Sequence, residues 1–312
     1  MIPTFRRPAQ VVACLAALAD QTIDPELFEV IVVDDSSGDD TPELVSAMAE
    51  TAPFTLRLIR RTGGNRGPAL ARNLGWNAAG SDVIAFLDDD CVPGPPWLEA
   101  GLVPFSRDDA VGVVQGRTKA PDGVDLWGLT DWYTWQTIDA PTAHFEACNI
   151  FYRRQALAET RGFDERIPWP WGEDTELGWK VLDAGWERAF ATEAVVTHPV
   201  ERRGMRWYVR TGLRDSTLVG VAAAYPPFRQ AAFWRPWAHR REDPALVAAI
   251  AGALVGLRWR PALLAALPYL WWRRPSIRQP HFFRLALQTP IVDAARVAGQ
   301  LRGSVRYRIL TI

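Results

Sequence analysis

The stretch from Ile84 to Asp90, Ile-Ala-Phe-Leu-Asp-Asp-Asp, carries the strongest structural signal in this chain. Its four apolar residues predict a buried strand. The three carboxylates that follow repel one another unless a cation compensates their charge. Asp88 and Asp90 stand two positions apart, so their side chains share a face of an extended chain. Such a pair suits Mn²⁺ or Mg²⁺, with a substrate phosphate completing the coordination shell; a solvated acidic turn is the alternative interpretation.

Strands and helices alternate in the sequence before this stretch. Phe28–Val33 is a predicted strand that runs into Asp34 and Asp35, Leu56–Ile59 is a short predicted strand, and Pro68–Ala79 is a predicted helix. Alternation of this kind over the first part of a chain is typical of a parallel sheet with crossover helices. Ligands of such sheets bind beyond the carboxyl ends of the strands, where both groups of aspartates fall.

The first strand of this pattern is short, because Ile2 is the only clear strand residue before Pro3. We therefore expect either that the natural chain starts a few residues earlier or that Met1 and Ile2 form a short edge strand.

Chain length, net charge and cysteine spacing limit the classes of protein to which this chain can belong. A chain of 312 residues predicts one large domain or two modest ones. The formal net charge of -1 argues against a nucleic-acid-binding protein. The three cysteines lack the spacing of a zinc site and favour a reducing compartment.

Several stretches, taken in order, resemble the family 2 glycosyltransferases, which are nucleotide-sugar enzymes with a GT-A fold. The resemblance covers about residues 1–200. It rests on the opening Ile2–Pro8, on Val32–Ser37, on Asn65–Gly67 with Ala71–Gly75, Gly80 and Phe86–Asp90, on Trp171–Leu177, and on His198.

The resemblance implies an α/β fold with a Rossmann-like, mostly parallel sheet and flanking helices. We expect the GT-A domain at residues 1–200, a basic helical segment at 201–242 that closes the donor site, and a helical, membrane-associating tail at 243–312. It also implies an inverting transferase that uses Mn²⁺ or Mg²⁺.

The nucleotide-sugar donor and the metal account for most of the expected site residues. The expected metal ligands are Asp88, Asp90 and His198, although a capping or core role is the alternative for the histidine. Asp34 and Asp35 suit the N–H of a uracil ring or ribose hydroxyls, or else they cap the following turn. The residues expected to bind the nucleotide sugar are Pro3, Thr4, Phe5, Arg7, Asp34, Asp35, Asn65, Arg66, Gly67, Arg72, Asp88, Asp89, Arg206 and Arg210. For Arg72, pairing with an acidic residue of the same site remains the alternative.

The acceptor side is expected around Trp169–Glu176. Asp174 is the candidate general base that takes a proton from an acceptor hydroxyl, and Glu173 is the alternative base. A capping role at the start of a helix is the other interpretation of Asp174. Trp169 and Trp171 offer flat apolar faces on which an acceptor sugar can stack.

The C-terminal region contains two apolar segments, 244–257 and 261–272, each too short to span a bilayer. They could pack as helices of an accessory domain, or enter a membrane surface with Trp271 and Trp272 at the level of the headgroups. We expect the second arrangement, at the cytoplasmic face of the cell membrane, either peripheral or re-entrant.

The resemblance thus implies a glycosyltransferase that takes its sugar from a nucleotide diphosphate, with UDP expected ahead of GDP and dTDP, and transfers it to a lipid-linked or cell-envelope glycan acceptor. A non-catalytic nucleotide-sugar-binding module is one alternative. A sugar-phosphate nucleotidyltransferase is another, but it should carry a Gly-rich loop with Arg and Lys after the first strand, where this chain has Pro3–Pro8.

Overall fold

The structure, a computed structural model, describes residues 1–126, 132–167, 169–273 and 282–312, without the side chains of residues 282–286. Its contacts divide the chain into two compact units. Unit 1 consists of Met1–Gly123 and Trp135–Val200, and unit 2 consists of Val124–Thr134 and Glu201–Ile312. Part of the predicted tail, residues 274–281, lies outside the described residues.

Strands and helices alternate through most of unit 1. The strands, in chain order, are β1 (Ile2–Thr4), β2 (Glu29–Asp34), β3 (Thr55–Arg60), β4 (Val83–Leu87), β5 (Val92–Pro93), β6 (Val111–Lys119), β7 (Tyr133–Thr134), β8 (Asn149–Arg153), β9 (Glu187–Thr197) and β10 (Glu201–Arg202). The α-helices are α1 (Pro8–Ala19), α2 (Thr41–Ala49), α3 (Pro68–Ala78), α4 (Trp97–Arg107), α5 (Arg154–Thr160), α6 (Glu173–Asp183), α7 (Met205–Arg214), α8 (Ser216–Ala224), α9 (Pro226–Ala232), α10 (Glu242–Gly256), α11 (Leu267–Arg273) and α12 (Phe282–Tyr307). Short 3₁₀ helices cover Pro25–Leu27 and Arg260–Ala266.

The sheet of unit 1 starts with parallel strands and continues as a mixed sheet. Strands β1, β2 and β3 pair in parallel. The amino group of Met1 donates to the Ala85 carbonyl at 2.8 Å, and the Leu87 N–H donates to the Met1 carbonyl at 3.2 Å, which joins β1 to β4. The order continues β4-β8-β6-β9-β5, in which only β6 and β9 pair in parallel. The expected α/β fold with a mostly parallel sheet is confirmed.

Strand β1 is the terminal strand of the three-stranded sheet with β2 and β3, and the hydrogen bonds of Met1 place this short strand beside β4. Its register pairs Ile2 with Val32 and Thr4 with Asp34. The carboxyl ends of β1, β2 and β4 consequently lie at one edge of the sheet, and they carry Thr4, Asp34 and Asp88 to that edge.

Apolar residues explain why these elements pack where they do. Val30–Val33 of β2 are all buried, as expected for a strand covered on both faces. On α1, Val11, Cys14, Leu15 and Leu18 follow helical spacing and are buried. The four α1 residues and Ile2 belong to one apolar core. This core holds α1 against β1, next to the edge of the sheet that carries the aspartates.

Unit 2 consists of helices α7 to α12 and the antiparallel pair β7 and β10. Its interior holds a charged network: Arg296 donates to Asp243 at 2.6 Å and to Asp293 at 2.8 Å. Arg273 also pairs with Asp293. Among the described residues, no helix has both the length and the apolar character needed to cross a bilayer.

Asn149 in β8 provides a test of the mixed half of the sheet. Its side chain is buried, accepts from Trp97 Nε1 at 2.8 Å, and donates to the carbonyls of Arg117 and Ala194 at 2.8 and 2.9 Å. We expect Asn149→Ala to lower the free energy of unfolding by about 3 kcal/mol, because the buried indole N–H loses its acceptor. Denaturant unfolding measures this change.

Asn77→Ala is the matched control, since this exposed side chain makes one hydrogen bond, to the Asn73 carbonyl of its own helix. It should cost less than about 1 kcal/mol. Equal effects of the two substitutions would contradict the structural role of Asn149.

Candidate active site

The three aspartates after β4 have three different environments. Asp89 is buried, accepts from Thr4 Oγ1 at 2.7 Å and pairs with Arg7 at 2.9 Å. Burial raises its pKa to about 6, against the lowering effects of Arg7 and Thr4. Arg7 also reaches Asp90 at 2.5 Å. Asp89, Thr4 and Arg7, all expected at the nucleotide, are thus in contact with one another and hold the β1 end against the β4 end.

Asp88 lies on the other side of this stretch and pairs with Arg72 of α3. The Arg72 guanidinium donates to Asp88 Oδ1 at 2.8 Å and to Glu173 Oε1 at 2.7 Å. Its side chain is only 4% exposed and stacks over Phe163 at 5.4 Å. Burial disfavours the charge, but Asp88 and Glu173 outweigh burial and raise the pKa of Arg72. The structure therefore supports the alternative interpretation of Arg72, in which it pairs with acidic residues of the site.

Asp34 and Asp35, at the end of β2, are both buried and engaged with neighbouring chain. Asp34 accepts from the backbone N–H and the hydroxyl of Ser37, as in the turn-capping interpretation. Asp35 accepts from Arg61 Nε at 2.6 Å and from the backbone N–H groups of Arg66 and Gly67 at 2.8 and 3.1 Å. Asp34 Oδ1 and Asp35 Oδ2 each already accept two hydrogen bonds, which leaves Asp34 Oδ2 and Asp35 Oδ1 as the oxygens for a nucleotide base. The expected base contacts of both residues stay predictions.

The loop before α3 is held at the same edge of the sheet through Asp35. Asn65 and Arg66 are exposed, and Gly67 is buried with a φ of +93°. That left-handed conformation strains any residue with a Cβ, so glycine suits the position. Pro3 and Phe5, at the end of β1, are half-buried. The expected nucleotide contacts of Pro3, Phe5, Asn65, Arg66 and Gly67 stay predictions.

Asp90 and His198 come together as possible metal ligands. One donor atom each from Asp90, Cys91 and His198 lies within 4.8 Å of the others. His198 follows β9, and its Nδ1 lies 2.8 Å from the Pro199 carbonyl. A carbonyl oxygen only accepts hydrogen bonds, so the ring donates through Nδ1 and Nε2 is the nitrogen left for a metal ion. Asp88 is outside this group among the described residues, and its role as a ligand stays a prediction.

The donor set fits a divalent cation such as Mn²⁺. A hydrogen bond with Cys148 and burial hold the pKa of the Cys91 thiol well above its usual value, so Cys91 is a neutral neighbour of the group. A carboxylate oxygen and an imidazole nitrogen remain, and these suit Mn²⁺ better than a thiolate-seeking metal.

The expected acceptor side is at the start of α6, where Glu173 and Asp174 differ sharply. Glu173 is 2% exposed and pairs with Arg72; burial raises its pKa and Arg72 opposes that shift. Asp174 accepts mainly from backbone N–H groups, of Thr175 at 2.7 Å and Ala147 at 3.3 Å. Burial, followed by the charge of Glu173, raises the pKa of Asp174 well above its usual value. Of the two, Asp174 is the one whose hydrogen bonds, among the described residues, include no arginine.

The remaining expected residues are placed as follows. Trp169 and Trp171 are half-buried in the turn before α6, and the Trp171 N–H donates to the Trp169 carbonyl at 2.9 Å. Arg206 and Arg210 are exposed on α7 in unit 2. Their contact with the diphosphate and the stacking of an acceptor on the tryptophans stay predictions.

Three residues of this region were missed in the sequence. Arg61 pairs with Asp35, Cys91 lies beside the expected metal ligands Asp90 and His198, and Glu146 contributes a further negative charge near Asp174. For Arg61, the signal was available as an arginine directly after a strand that pairs in parallel with β2. For Glu146, no local pattern distinguished it from a solvated loop residue.

A GT-A-like sheet with aspartates after β2 and β4 is typical of the nucleotide-sugar-dependent glycosyltransferases. Comparison with known proteins identifies the family. The sequence matches Glycosyl transferase family 2 over residues 1–163. This is more than half of the chain, and the chain belongs to this family.

Individual proteins agree with this assignment. The chain is 28% identical over 230 residues to the O-antigen chain rhamnosyltransferase RfbN of Salmonella typhimurium. The aligned stretch covers 68% of this chain and 70% of RfbN. Across the most similar curated relatives, the match covers between 22% and 70% of the relative's length.

Two solved structures share the fold. The mannosyltransferase PcManGT of Pyrobaculum calidifontis, in complex with GDP-Man and Mn²⁺, superposes with a TM-score of 0.62 at 21% identity, over 98% of this chain and 85% of PcManGT. S. aureus TarS 1-349 in complex with UDP-GlcNAc gives a TM-score of 0.54 at 18% identity, over 96% of this chain and 90% of TarS 1-349. These likenesses show the fold.

The Arg72 pair yields a stability prediction. Arg72→Met leaves the buried Glu173 carboxylate without its cation, so we expect the free energy of unfolding to fall by about 3–5 kcal/mol. The double variant Arg72→Met/Glu173→Leu should lose less than the sum of the two single losses, because no unpaired charge remains between these positions. Denaturant unfolding of the three variants measures the coupling.

Arg60→Met is the control, because Arg60 and Glu43 form an ion pair in which both side chains are more than half exposed. Its loss should stay below about 1 kcal/mol. Additive single and double losses would show that Arg72 and Glu173 are not coupled.

Proposed function

We propose that this protein is an inverting, metal-dependent glycosyltransferase that moves a sugar from a UDP-linked donor to a hydroxyl of a lipid-linked or cell-envelope glycan. The observation that carries the proposal is the Arg72 guanidinium, which bonds to Asp88 after β4 and to Glu173 at the start of α6. One buried side chain thereby connects the expected donor carboxylates with the expected catalytic helix.

In the proposed reaction, the Asp174 carboxylate takes the proton of the acceptor hydroxyl. The hydroxyl oxygen forms a bond to the anomeric carbon from the face opposite the leaving group. The bond from that carbon to the diphosphate oxygen breaks, and its electron pair leaves with the phosphate. This displacement inverts the anomeric configuration. The raised pKa of Asp174 suits the task, because a base works best when its pKa approaches the working pH.

The leaving diphosphate gains negative charge as the bond breaks, and Asp90 and His198 are the residues we propose to hold Mn²⁺ or Mg²⁺ beside it. Asp88 is a further proposed ligand through the oxygen that Arg72 does not occupy. A bound divalent cation would supply positive charge to the diphosphate oxygens. PcManGT was solved with Mn²⁺, which supports this choice for a protein of the same fold.

A uridine donor is proposed from the acids at the end of β2. The imide N–H of uracil is a single donor that one carboxylate lone pair can accept, and Asp34 and Asp35 both lie at this edge of the sheet. TarS was solved with UDP-GlcNAc, whereas PcManGT was solved with GDP-Man, so the base is a point to be tested.

The acceptor and the location are proposed together. RfbN is an O-antigen chain rhamnosyltransferase, and a family relative of that kind supports a cell-envelope glycan as acceptor. Trp169 and Trp171, directly before the catalytic helix, are the proposed stacking surface for its sugar. We propose further that this acceptor is lipid-linked and that the protein works at the cytoplasmic face of the cell membrane, peripheral or re-entrant.

The metal proposal predicts a dependence of nucleotide binding on Asp90. UDP should raise the melting temperature of the parent protein in the presence of Mn²⁺ and much less in its absence, because a ligand of the folded state stabilises it. Asp90→Ala should lose the part that depends on Mn²⁺. Thermal unfolding with UDP, GDP and dTDP measures both the metal effect and the choice of base.

Asp122→Ala is the control, since Asp122 is an exposed carboxylate that pairs with Lys119 at the surface. It should respond to UDP and Mn²⁺ as the parent does. If Asp90→Ala still gains the full stabilisation, the metal assignment is wrong; a larger shift with GDP than with UDP would overturn the uridine proposal.

The base proposal predicts that Asp174→Asn keeps donor binding and loses turnover. The amide preserves the size of the side chain and cannot take the proton, so we expect turnover to fall by about 10²–10⁴-fold. In the parent, turnover should decline on the acidic side at a pH above the usual range of an aspartate, because burial raises the pKa of Asp174. The anomeric configuration of the product is read by NMR.

Asp183→Asn, an exposed residue at the other end of the same helix, should keep parental turnover. Intact turnover with weakened donor binding in Asp174→Asn would remove Asp174 as the base. Nucleotide binding without turnover by the parent, across nucleotide sugars and glycan acceptors, would favour a non-catalytic binding module.

A further inference from the structure

We infer that the helical hairpin of unit 2, formed by α10, the 3₁₀ helix Arg260–Ala266 and α11, binds the surface of an anionic lipid bilayer. The inference deepens the proposed membrane location by naming the surface that makes the contact and the chemistry of the lipid. The part of this hairpin that makes the proposed contact is residues 250–272, and we call it the apolar hairpin.

The apolar hairpin exposes large side chains that soluble proteins normally bury. Leu254, Leu257, Trp259, Leu264, Leu270 and Trp271 are each between 58% and 84% exposed. They lie within one stretch of the chain, on elements that contact one another. Contiguous exposed apolar surface of this kind marks a site of contact with a protein or a membrane.

Packing within unit 2 turns these side chains outward. A Cβ on Gly252 would lie 2.5 Å from the Ala262 carbonyl oxygen, and a Cβ on Gly256 would lie 2.6 Å from a Leu263 methyl carbon. The two glycines therefore let the 3₁₀ helix pack directly on α10. Ala245, Leu246 and Tyr269 form a small core with Val297 of α12 on the inner side. The leucines and tryptophans remain on the outer side.

Two polar contacts hold α11 against α12. Tyr269 donates to the buried Asp293 at 2.8 Å, and Arg273 pairs with the same carboxylate. The exposed side chains of the apolar hairpin therefore lie on helices whose positions in unit 2 are fixed.

Charge identifies the occupant. The sequence contains no Asp or Glu between Asp243 and Asp293, whereas that stretch contains six arginines, at positions 258, 260, 273, 274, 278 and 284. Arg258 and Arg260 are exposed and flank Trp259 in the turn of the hairpin. An apolar surface bordered by arginine and tryptophan matches the anionic headgroup level of a bilayer. A second copy of this chain would bring the same positive charges to the contact and would be repelled.

The lengths of the elements favour binding in the plane of the surface. Helix α10 has 15 residues, which is about 22 Å of helix and short of the roughly 30 Å hydrocarbon core. The hairpin is thus suited to lie in the headgroup region with its leucines entering the acyl boundary.

Sedimentation of the full chain with vesicles tests this inference. We expect binding to phosphatidylcholine vesicles that contain about one third phosphatidylglycerol, and much weaker binding to phosphatidylcholine alone. Arg258→Ser/Arg260→Ser should weaken binding to the anionic vesicles by about thirtyfold, the effect of two basic residues near such a surface. Leu257→Asp/Leu264→Asp should weaken it at least about tenfold, because both apolar contacts are lost.

Leu27→Asp/Leu310→Asp is the matched control, since these two leucines are as exposed but lie outside the apolar hairpin. It should bind vesicles as the parent does. The inference is overturned if the full chain stays in the supernatant with anionic vesicles at low salt, or if both double leucine variants bind equally. A concentration-dependent dimer in light scattering that Leu257→Asp/Leu264→Asp dissociates would instead identify a second copy as the occupant.

The same samples separate this inference from the proposed catalytic function. Stabilisation by UDP and Mn²⁺ is measured without lipid, and the hairpin variants should retain it in full. Loss of nucleotide binding with vesicle binding intact would count against the proposed function alone, and the reverse result would count against the lipid surface alone.

Discussion

The buried guanidinium of Arg72 is the interaction on which the arrangement of the site depends. Its carboxylate partner Glu173 belongs to an element far away in the chain, 101 positions after Arg72. At 4% exposure the arginine is shielded from water, and its charge is tolerated only because both partners are in contact. The orientation of α6, and with it that of Asp174, is coupled in this way to the end of β4.

The site also shows how burial divides the work among identical residues. Asp88, Asp89 and Asp90 are consecutive, yet one pairs with Arg72, one holds the end of β1 through Thr4, and one approaches His198. The same division separates Glu173 from Asp174. Glu173 pairs with an arginine that opposes the rise in its pKa, whereas burial and the charge of Glu173 raise the pKa of Asp174 well above its usual value. Neighbouring carboxylates can therefore serve structure and chemistry at once.

Unit 2 follows a different balance. Its interior contains the charged residues Asp243, Asp293 and Arg296, while its hairpin exposes leucine and tryptophan. A monomer in water would gain free energy from the opposite arrangement. The inner network is satisfied by mutual ion pairs, so the exposed apolar residues are the part that a second surface would stabilise.

The sequence by itself determined the α/β class, the parallel start of the sheet, and the positions of the acids beyond the strand ends. These follow from local alternation and from short spacings, which the chain carries wherever it folds. The family resemblance located Asp90, His198, Glu173 and Asp174 as site candidates. Only the tertiary structure decided that β1 lies beside β4, that Arg72 bonds to Asp88 and Glu173, and that Arg61 pairs with Asp35. The reason is physical. The order of strands in the sheet decides which charged groups come into contact and how deeply they are buried, and local periodicity does not specify that order.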